Sequence, residues 1–244
     1  WCRVRRLLRL DWSPEEVRGA LLRFGRAAVS VPAIYAHVRA DRCRGGRLHR
    51  HLRFGHKRTR WGHHSRGMLS PTRPSIHARP RHIELRQQAG HWEGDTLTGS
   101  SRINKLLVLV ERKSRYLVLR RPAQHLAISI PIAHSVVSAL RPLAARSVTF
   151  DNGPEFAHYE HIQDRLGCNV FFADPYKPWQ RGTCENTIGL VRQYIPKGSS
   201  GRHLSPRQLQ RIANKLNHRP RKCLGFKTPA EVLLNAQPPV ALRT

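Results

Sequence analysis

Asp151 closes a short β-branched run, Val148-Thr149-Phe150, and Asn152-Gly153 turns the chain directly after it, so the carboxylate is left at the rim of a sheet. A second acid, Glu185, lies in a segment whose apolar positions Cys184, Ile188, Val191 and Ile195 recur at helical spacing. On that helix Arg181, Glu185, Gly189 and Arg192 form the adjoining polar stripe, where an acid is flanked by cations and a glycine leaves room for a backbone to approach. From pattern alone Glu185 serves equally well as a salt-bridge partner on a solvated face. The run Trp92-Glu93-Gly94-Asp95 supplies a third acid. Glu93 and Asp95 point the same way from one strand, Asp95 being the better candidate for chemistry and Glu93 for support.

These acids stand in a chain of opposite charge. Its 244 residues carry 44 Lys+Arg against 15 Asp+Glu, a formal net charge of +29, which points to a polyanionic partner and above all to nucleic acid. Nine of the 15 acids fall between Glu93 and Glu185. Acids in a domain that meets DNA weaken binding unless something neutralises them. Oxygen-ligated Mg²⁺ or Mn²⁺ does so, and two such ions can activate one oxygen and stabilise another in an in-line phosphoryl displacement. No apolar run is long enough for a membrane span, so no membrane partner is expected. Five cysteines without a CxxC pair suit a reducing compartment, and the chain, opening on Trp1, reads as trimmed at its N-terminus.

The elements that must position the acids follow from punctuation and period. Ser13-Pro14-Glu15-Glu16 is a capping box, Val17, Leu21 and Leu22 continue at helical spacing, and Gly25 can end the helix. Ser30 caps a second helix carrying Ile34, Tyr35 and Val38, so residues 1–41 are compatible with an incomplete helix-turn-helix whose candidate DNA contacts are Tyr35 and Arg39, a pattern that any helical hairpin shares. Residues 42–88 read as a basic linker, without acids from Arg42 to His82 and able to lie along phosphates by charge. Its Cys43, His49, His51, His56, His63 and His64 match no zinc-finger spacing.

From residue 89 to 200 the texture is α/β. The runs Leu106–Val110 and Tyr116–Leu119 flank a polar turn and form a hairpin with the Trp92 segment. Gln124–Leu140 reads as a helix that Pro131 bends or shortens, followed by a strand at Ser147–Phe150, a helix over Glu155–Leu166, a strand at Asn169–Phe172 and a helix over Gln180–Tyr194. The order βββαβαβα predicts an open mixed sheet with helices on its faces. Ser205-Pro206-Arg207-Gln208 and Thr228-Pro229-Ala230-Glu231 announce two further helices, and residues 201–244 are expected to complete the core.

The motifs HWEGDT, LVLVERKSRYLVL, TFDNGPEF, FADPYKPWQRGTCENTIGLVRQYIPKG and LNHRPRKCLGFKTPAEVL together resemble the insertion-sequence-thirty family of bacterial transposases, within the Asp-Asp-Glu transposase and retroviral-integrase superfamily. The resemblance runs from Trp12 to about Leu233. It implies a ribonuclease-H-like mixed sheet with flanking helices, preceded by a small helix-turn-helix. Asp95, Asp151 and Glu185 then match the metal-binding catalytic triad, with Mg²⁺ or Mn²⁺, two ions, as cofactor.

The implied activity is cleavage of insertion-element ends and joining of the 3′-hydroxyl to target DNA. The implied partners are element ends, target DNA and further copies of the chain, and the implied location is the nucleoid of the bacterial cytoplasm. Lys177, Arg181, Arg192 and Lys197 are candidates to hold phosphates and Trp179 to stack on a base, while Asn152, Asp174 and Glu93 support the site. A binding remnant without catalysis and a nuclease that cuts without joining are the alternatives. The sequence departs from the family pattern at His91, Pro32, Ala33, Pro131 and Cys184.

Overall fold

The computed structural model describes residues 1–53, 73–98, 105–123, 128–197, 199 and 204–235. In chain order the helices are α1 (Cys2–Arg9), α2 (Pro14–Arg23), α3 (Val31–Cys43), α4 (Arg81–Glu84), α5 (Ser129–Leu140), α6 (Tyr159–Leu166), α7 (Gly182–Val191), α8 (Pro206–Asn217) and α9 (Pro229–Leu234). The strands are β1 (His91–Thr98), β2 (Lys105–Glu111), β3 (Leu117–Arg120), β4 (Ser147–Phe150) and β5 (Asn169–Phe172). The chain divides into two compact units, Trp1–Gly62 with Lys215–Thr244, and His63–Asn214.

In the helical unit α1, α2 and α3 close on one core of Val4, Leu7, Leu8, Trp12, Val17, Leu21, Ile34 and Val38. Helix α1 was not anticipated, because its apolar residues are spaced among arginines. Ser13 and Glu16 make the expected reciprocal capping box, and Gly25 turns the chain at φ 61° directly after the residue that caps α2. Ser30 caps α3 through the Ala33 amide, leaving Tyr35 and Arg39 exposed on that helix.

Of the stretch 201–244 expected to complete the core, residues from Lys215 on fall in the helical unit. Their ion pairs are made with the N-terminal helices: Arg219 Nε to Glu16 at 2.7 Å, Lys215 Nζ to Asp11 at 2.8 Å, and Arg23 to Glu231 at 2.8 Å. A side chain on Gly19 would run into the Phe226 ring, so glycine is required in α2 to admit it.

The sheet unit has the order β3-β2-β1-β4-β5. β1, β2 and β3 are antiparallel neighbours, while β4 lies parallel to β1 and β5 parallel to β4. This is the ribonuclease-H-like mixed sheet with flanking helices. The turn joining β2 to β3 is held by Glu111, whose buried carboxylate accepts the Ser114 amide and hydroxyl and the Gly90 amide. Helix α5 begins at Ser129, so Pro131 sits in its first turn, where a missing amide proton breaks no helical bond. The first four positions of the expected Gln124–Leu140 helix lie outside the described residues, as do positions 54–72 of the basic linker with His56, His63 and His64.

Candidate active site

Register sets the first two acids side by side. Glu93 of β1 pairs with Thr149 of parallel β4, and two residues further along each strand come Asp95 and Asp151. Asp95 lies inside β1 and Asp151 directly after the last residue of β4, so the alternation carries both to one face of the sheet beside the carboxyl end of β4. Trp92, fully buried, donates its indole N–H to the Ala144 carbonyl at 2.9 Å and fixes the start of β1. Gly94, on the opposite face, has no room for a side chain because the Phe150 ring lies against it, stacked on Phe156 with centroids 4.1 Å apart.

One cation bridges the two acids. Arg181 reaches Asp95 Oδ2 through Nη1 at 2.9 Å and Asp151 Oδ2 through Nη2 at 3.4 Å, and Nη1 also donates to the Gly94 carbonyl at 3.2 Å. Burial works against its charge, but Asp95 and Asp151 outweigh that and hold the guanidinium above its ordinary pKa. The Asp151 carboxyl is shifted up, first by burial and then by the charge of Asp95, against which Arg181 and the Gly153 amide pull down. Two carboxylates thus share one guanidinium.

A further acid lies close behind. Glu155 Oε1 accepts from Lys105 Nζ at 2.6 Å and from the Thr96 hydroxyl at 2.7 Å. Burial opposes its ionisation, but those hydrogen bonds prevail and depress its pKa. Nothing along the chain singles out Lys105, which reaches Glu155 only through the fold.

Glu185 occupies the first turn of α7, half-buried, on the polar stripe with Arg181, Gly189 and Arg192 as expected. Cys184 beside it is fully buried, and burial followed by the charge of Asp95 pushes its thiol well up, so it stays protonated and inert. The structure brings Asp95 and Asp151 together. It does not close Glu185 onto them: among the described residues no three His, Cys, Asp or Glu side chains form a group able to hold a metal ion. The same holds for Cys43, which is exposed, and His51, which pairs with Asp11 at 2.8 Å.

The turn before α7 is organised by Asp174. It accepts from Lys177 Nζ at 2.8 Å and Gln180 Nε2 at 3.0 Å, and pairs with His77 at 2.9 Å, while its own amide donates to Gln180 Oε1 at 2.7 Å. Lys177 first, then Gln180, bring its pKa down to about 2. Lys177, a candidate phosphate ligand, is thus tied to Asp174. Trp179 is 68% exposed and Tyr176 61%. Lys197 is exposed, and Arg192 is half-buried with its guanidinium near the Pro196 carbonyl. Asn152 donates to the Ala173 carbonyl and so ties the turn after β4 to the end of β5.

Glu93 is fully buried and points at α7, accepting the Cys184 amide at 2.8 Å, with Arg112 Nε 3.4 Å from its other oxygen. Burial lowers the Arg112 pKa to about 10 despite Glu93. Arg115 adds a bond to the Thr183 hydroxyl at 2.8 Å.

Comparison with known proteins gives several relatives. The chain is 39% identical over 233 residues to the transposase for insertion sequence element IS4351 of Bacteroides fragilis, covering 94% of this chain and 71% of that protein. It is 37% identical over 250 residues to the transposase for insertion sequence element IS1086 of Cupriavidus metallidurans, covering 96% of this chain and 71% of that protein. Among solved structures, the catalytic core domain of BIV integrase aligns with a TM-score of 0.46 at 19% identity, over 61% of this chain and 95% of that one. No family model matches the chain.

Proposed function

The chain belongs to the insertion-sequence transposases of the Asp-Asp-Glu transposase and retroviral-integrase superfamily, and from that premise we propose that it is of the insertion-sequence-thirty type and cleaves and joins DNA at the ends of its own element. A phosphodiester at the element end is hydrolysed to leave a 3′-hydroxyl, and that hydroxyl then displaces an oxygen from a phosphodiester of target DNA.

The observation that carries the reading is the pair Asp95 and Asp151, set in register on parallel strands and sharing the single guanidinium of Arg181. Hard carboxylate oxygens with a cation already between them are a donor set suited to Mg²⁺ or Mn²⁺. Asp95 and Asp151 would hold the metal, with Glu185 completing the ligands. When bound, the metal supplies charge neutralisation at the phosphate and acidifies water. The chain's own residues do the rest. Glu155, held ionised by Lys105, keeps a fixed negative charge behind Asp151. Asp174 fixes the turn that carries Trp179 and Arg181, so that Trp179 presents its exposed ring to a base. Arg181, Arg192 and Lys197 hold phosphates. On the helical unit, Tyr35 and Arg39 of α3 contact the element ends. The chain works as a multimer, since two ends must be paired, and in the bacterial cytoplasm on the nucleoid. No helix among the described residues is long and apolar enough to cross a membrane.

The test is cleavage and joining on DNA carrying the flanking ends of the chain's own locus, with Mg²⁺ or Mn²⁺, comparing wild type with Glu185→Gln. Joined products from wild type alone are expected. Nicks without joined strands would make the protein a nuclease, and equal DNA binding with no cutting by either would make it a binder without catalysis.

A further inference from the structure

Helix α7 begins without a cap of its own. Its N-cap position is Arg181, whose side chain donates to acids and a carbonyl and can accept nothing from the amides of the first turn. Among the described side chains, the acceptor for one of those amides comes from Glu93, far away in sequence on β1. Its Oε2 receives the Cys184 N–H at 2.8 Å, at the third position of the helix, where a cap residue's oxygen normally bonds. The carboxylate also places negative charge at the positive end of the helix. It does so with no exposed surface, in a setting where water cannot replace it.

The location matters for what flanks each end of this bond. Glu93 is two residues before Asp95 on one face of β1, and Cys184 directly precedes Glu185. A single hydrogen bond therefore couples the strand bearing one rim acid to the helix turn bearing another. We propose that Glu93 is a positioning residue that sets the distance and orientation of Glu185 relative to Asp95. Arg112 lies beside it, its Nε 3.4 Å from Oε1. The proposal rests on the reading of Asp95, Asp151 and Glu185 as the reacting site. It assigns to the Glu of the Trp92-Glu93-Gly94-Asp95 run a task separate from binding any ion or DNA.

The experiment compares Glu93→Gln with Glu93→Leu in the full chain. Both leave Arg112 without its counter-charge, but only glutamine keeps an oxygen for the Cys184 amide. Two readouts are taken. Hydrogen exchange at the Cys184 and Glu185 amides should stay within about threefold of wild type in Glu93→Gln and rise roughly tenfold or more in Glu93→Leu, as one capping bond is lost. In cleavage of element-end DNA, kcat should fall about 100-fold in Glu93→Leu at a KM within about twofold, the effect of a misplaced group, with Glu93→Gln much less affected.

Should either single variant fail to fold, Glu93→Gln/Arg112→Gln against Glu93→Leu/Arg112→Leu makes the same comparison without an unpaired charge. Equal exchange and equal kcat in the two members of a pair would overturn the proposal, leaving Glu93 as a core residue only. If the exchange difference appears while wild type cuts no DNA, the clamp stands and it is the proposed function that fails.

Discussion

The acids inside the sheet unit and those at its rim have opposite surroundings. Glu93, Glu111 and Glu155 are buried and each accepts hydrogen bonds from the fold, from an α7 amide, from a turn amide and hydroxyl, and from a lysine and a threonine, with Oε1 of Glu93 left to Arg112 at 3.4 Å. Asp95 and Asp151 divide one arginine between them, and Glu185 has no hydrogen-bond or ion-pair partner among the described residues. Donors around the inner acids hold the fold together. At the rim, burial and the neighbouring Asp95 raise the Asp151 carboxyl, so its charge is unfavourable in the folded state.

That contrast can be broken most directly by Asp151→Asn. Loss of one rim carboxylate should lower DNA cleavage by roughly 10²–10³-fold, as for removal of one electrostatic stabiliser, while the melting temperature holds or rises because the repulsion from Asp95 disappears. Glu155→Ala should do the reverse to stability. It strands Lys105, 16% exposed, and should cost about 3–5 kcal/mol by denaturant titration.

The two sites should also answer to pH in opposite senses. Glu155 is depressed below its ordinary 4.5, so its contribution is present above that value and is lost as pH falls through its folded pKa. Asp151 is raised above its ordinary 3.8, so it penalises folding above its folded pKa, and the penalty is relieved as pH falls through that value towards 3.8. Melting curves from neutral pH to about pH 4 should therefore lose their Asp151-dependent rise on acidification in Asp151→Asn, where nothing titrates at that position. The smallest expected effect is that of Trp179→Ala. Its ring is 68% exposed, so the melting temperature should not move, while affinity for single-stranded element-end DNA should weaken by about 1–3 kcal/mol, measurable by fluorescence anisotropy.

Much of the sheet was legible because its signals are local. The Ser147–Phe150 and Asn169–Phe172 runs are short and apolar, bounded by turn residues, and both were assigned with the bounds the structure gives. The hairpin followed from its polar Glu111–Arg115 turn, and the capping boxes at Ser13 and Thr228 from their sequence spacing. What escaped was non-local. Along the chain Arg181 is a candidate phosphate ligand, and nothing there announces that it also folds back onto Asp95 and Asp151. Glu93 reaching Cys184, Lys105 reaching Glu155, and Arg219 reaching Glu16 are partnerships between residues with no periodic relation. Helix α1 hid among its arginines. Asp95, Asp151 and Glu185 stood out for a different reason: acids are scarce in so basic a chain, and the resemblance supplied their grouping.

The central claim, that the rim acids are reserved for a divalent cation, is tested most directly by titrating Mn²⁺ into DNA-free protein and following free Mn²⁺ by electron paramagnetic resonance. Wild type, Asp151→Asn and Arg181→Gln are compared. The account predicts saturable binding by wild type, its loss in Asp151→Asn, and tighter binding in Arg181→Gln, where the resident guanidinium no longer competes. Equal Mn²⁺ binding by wild type and Asp151→Asn, or none by any of the three, would contradict it.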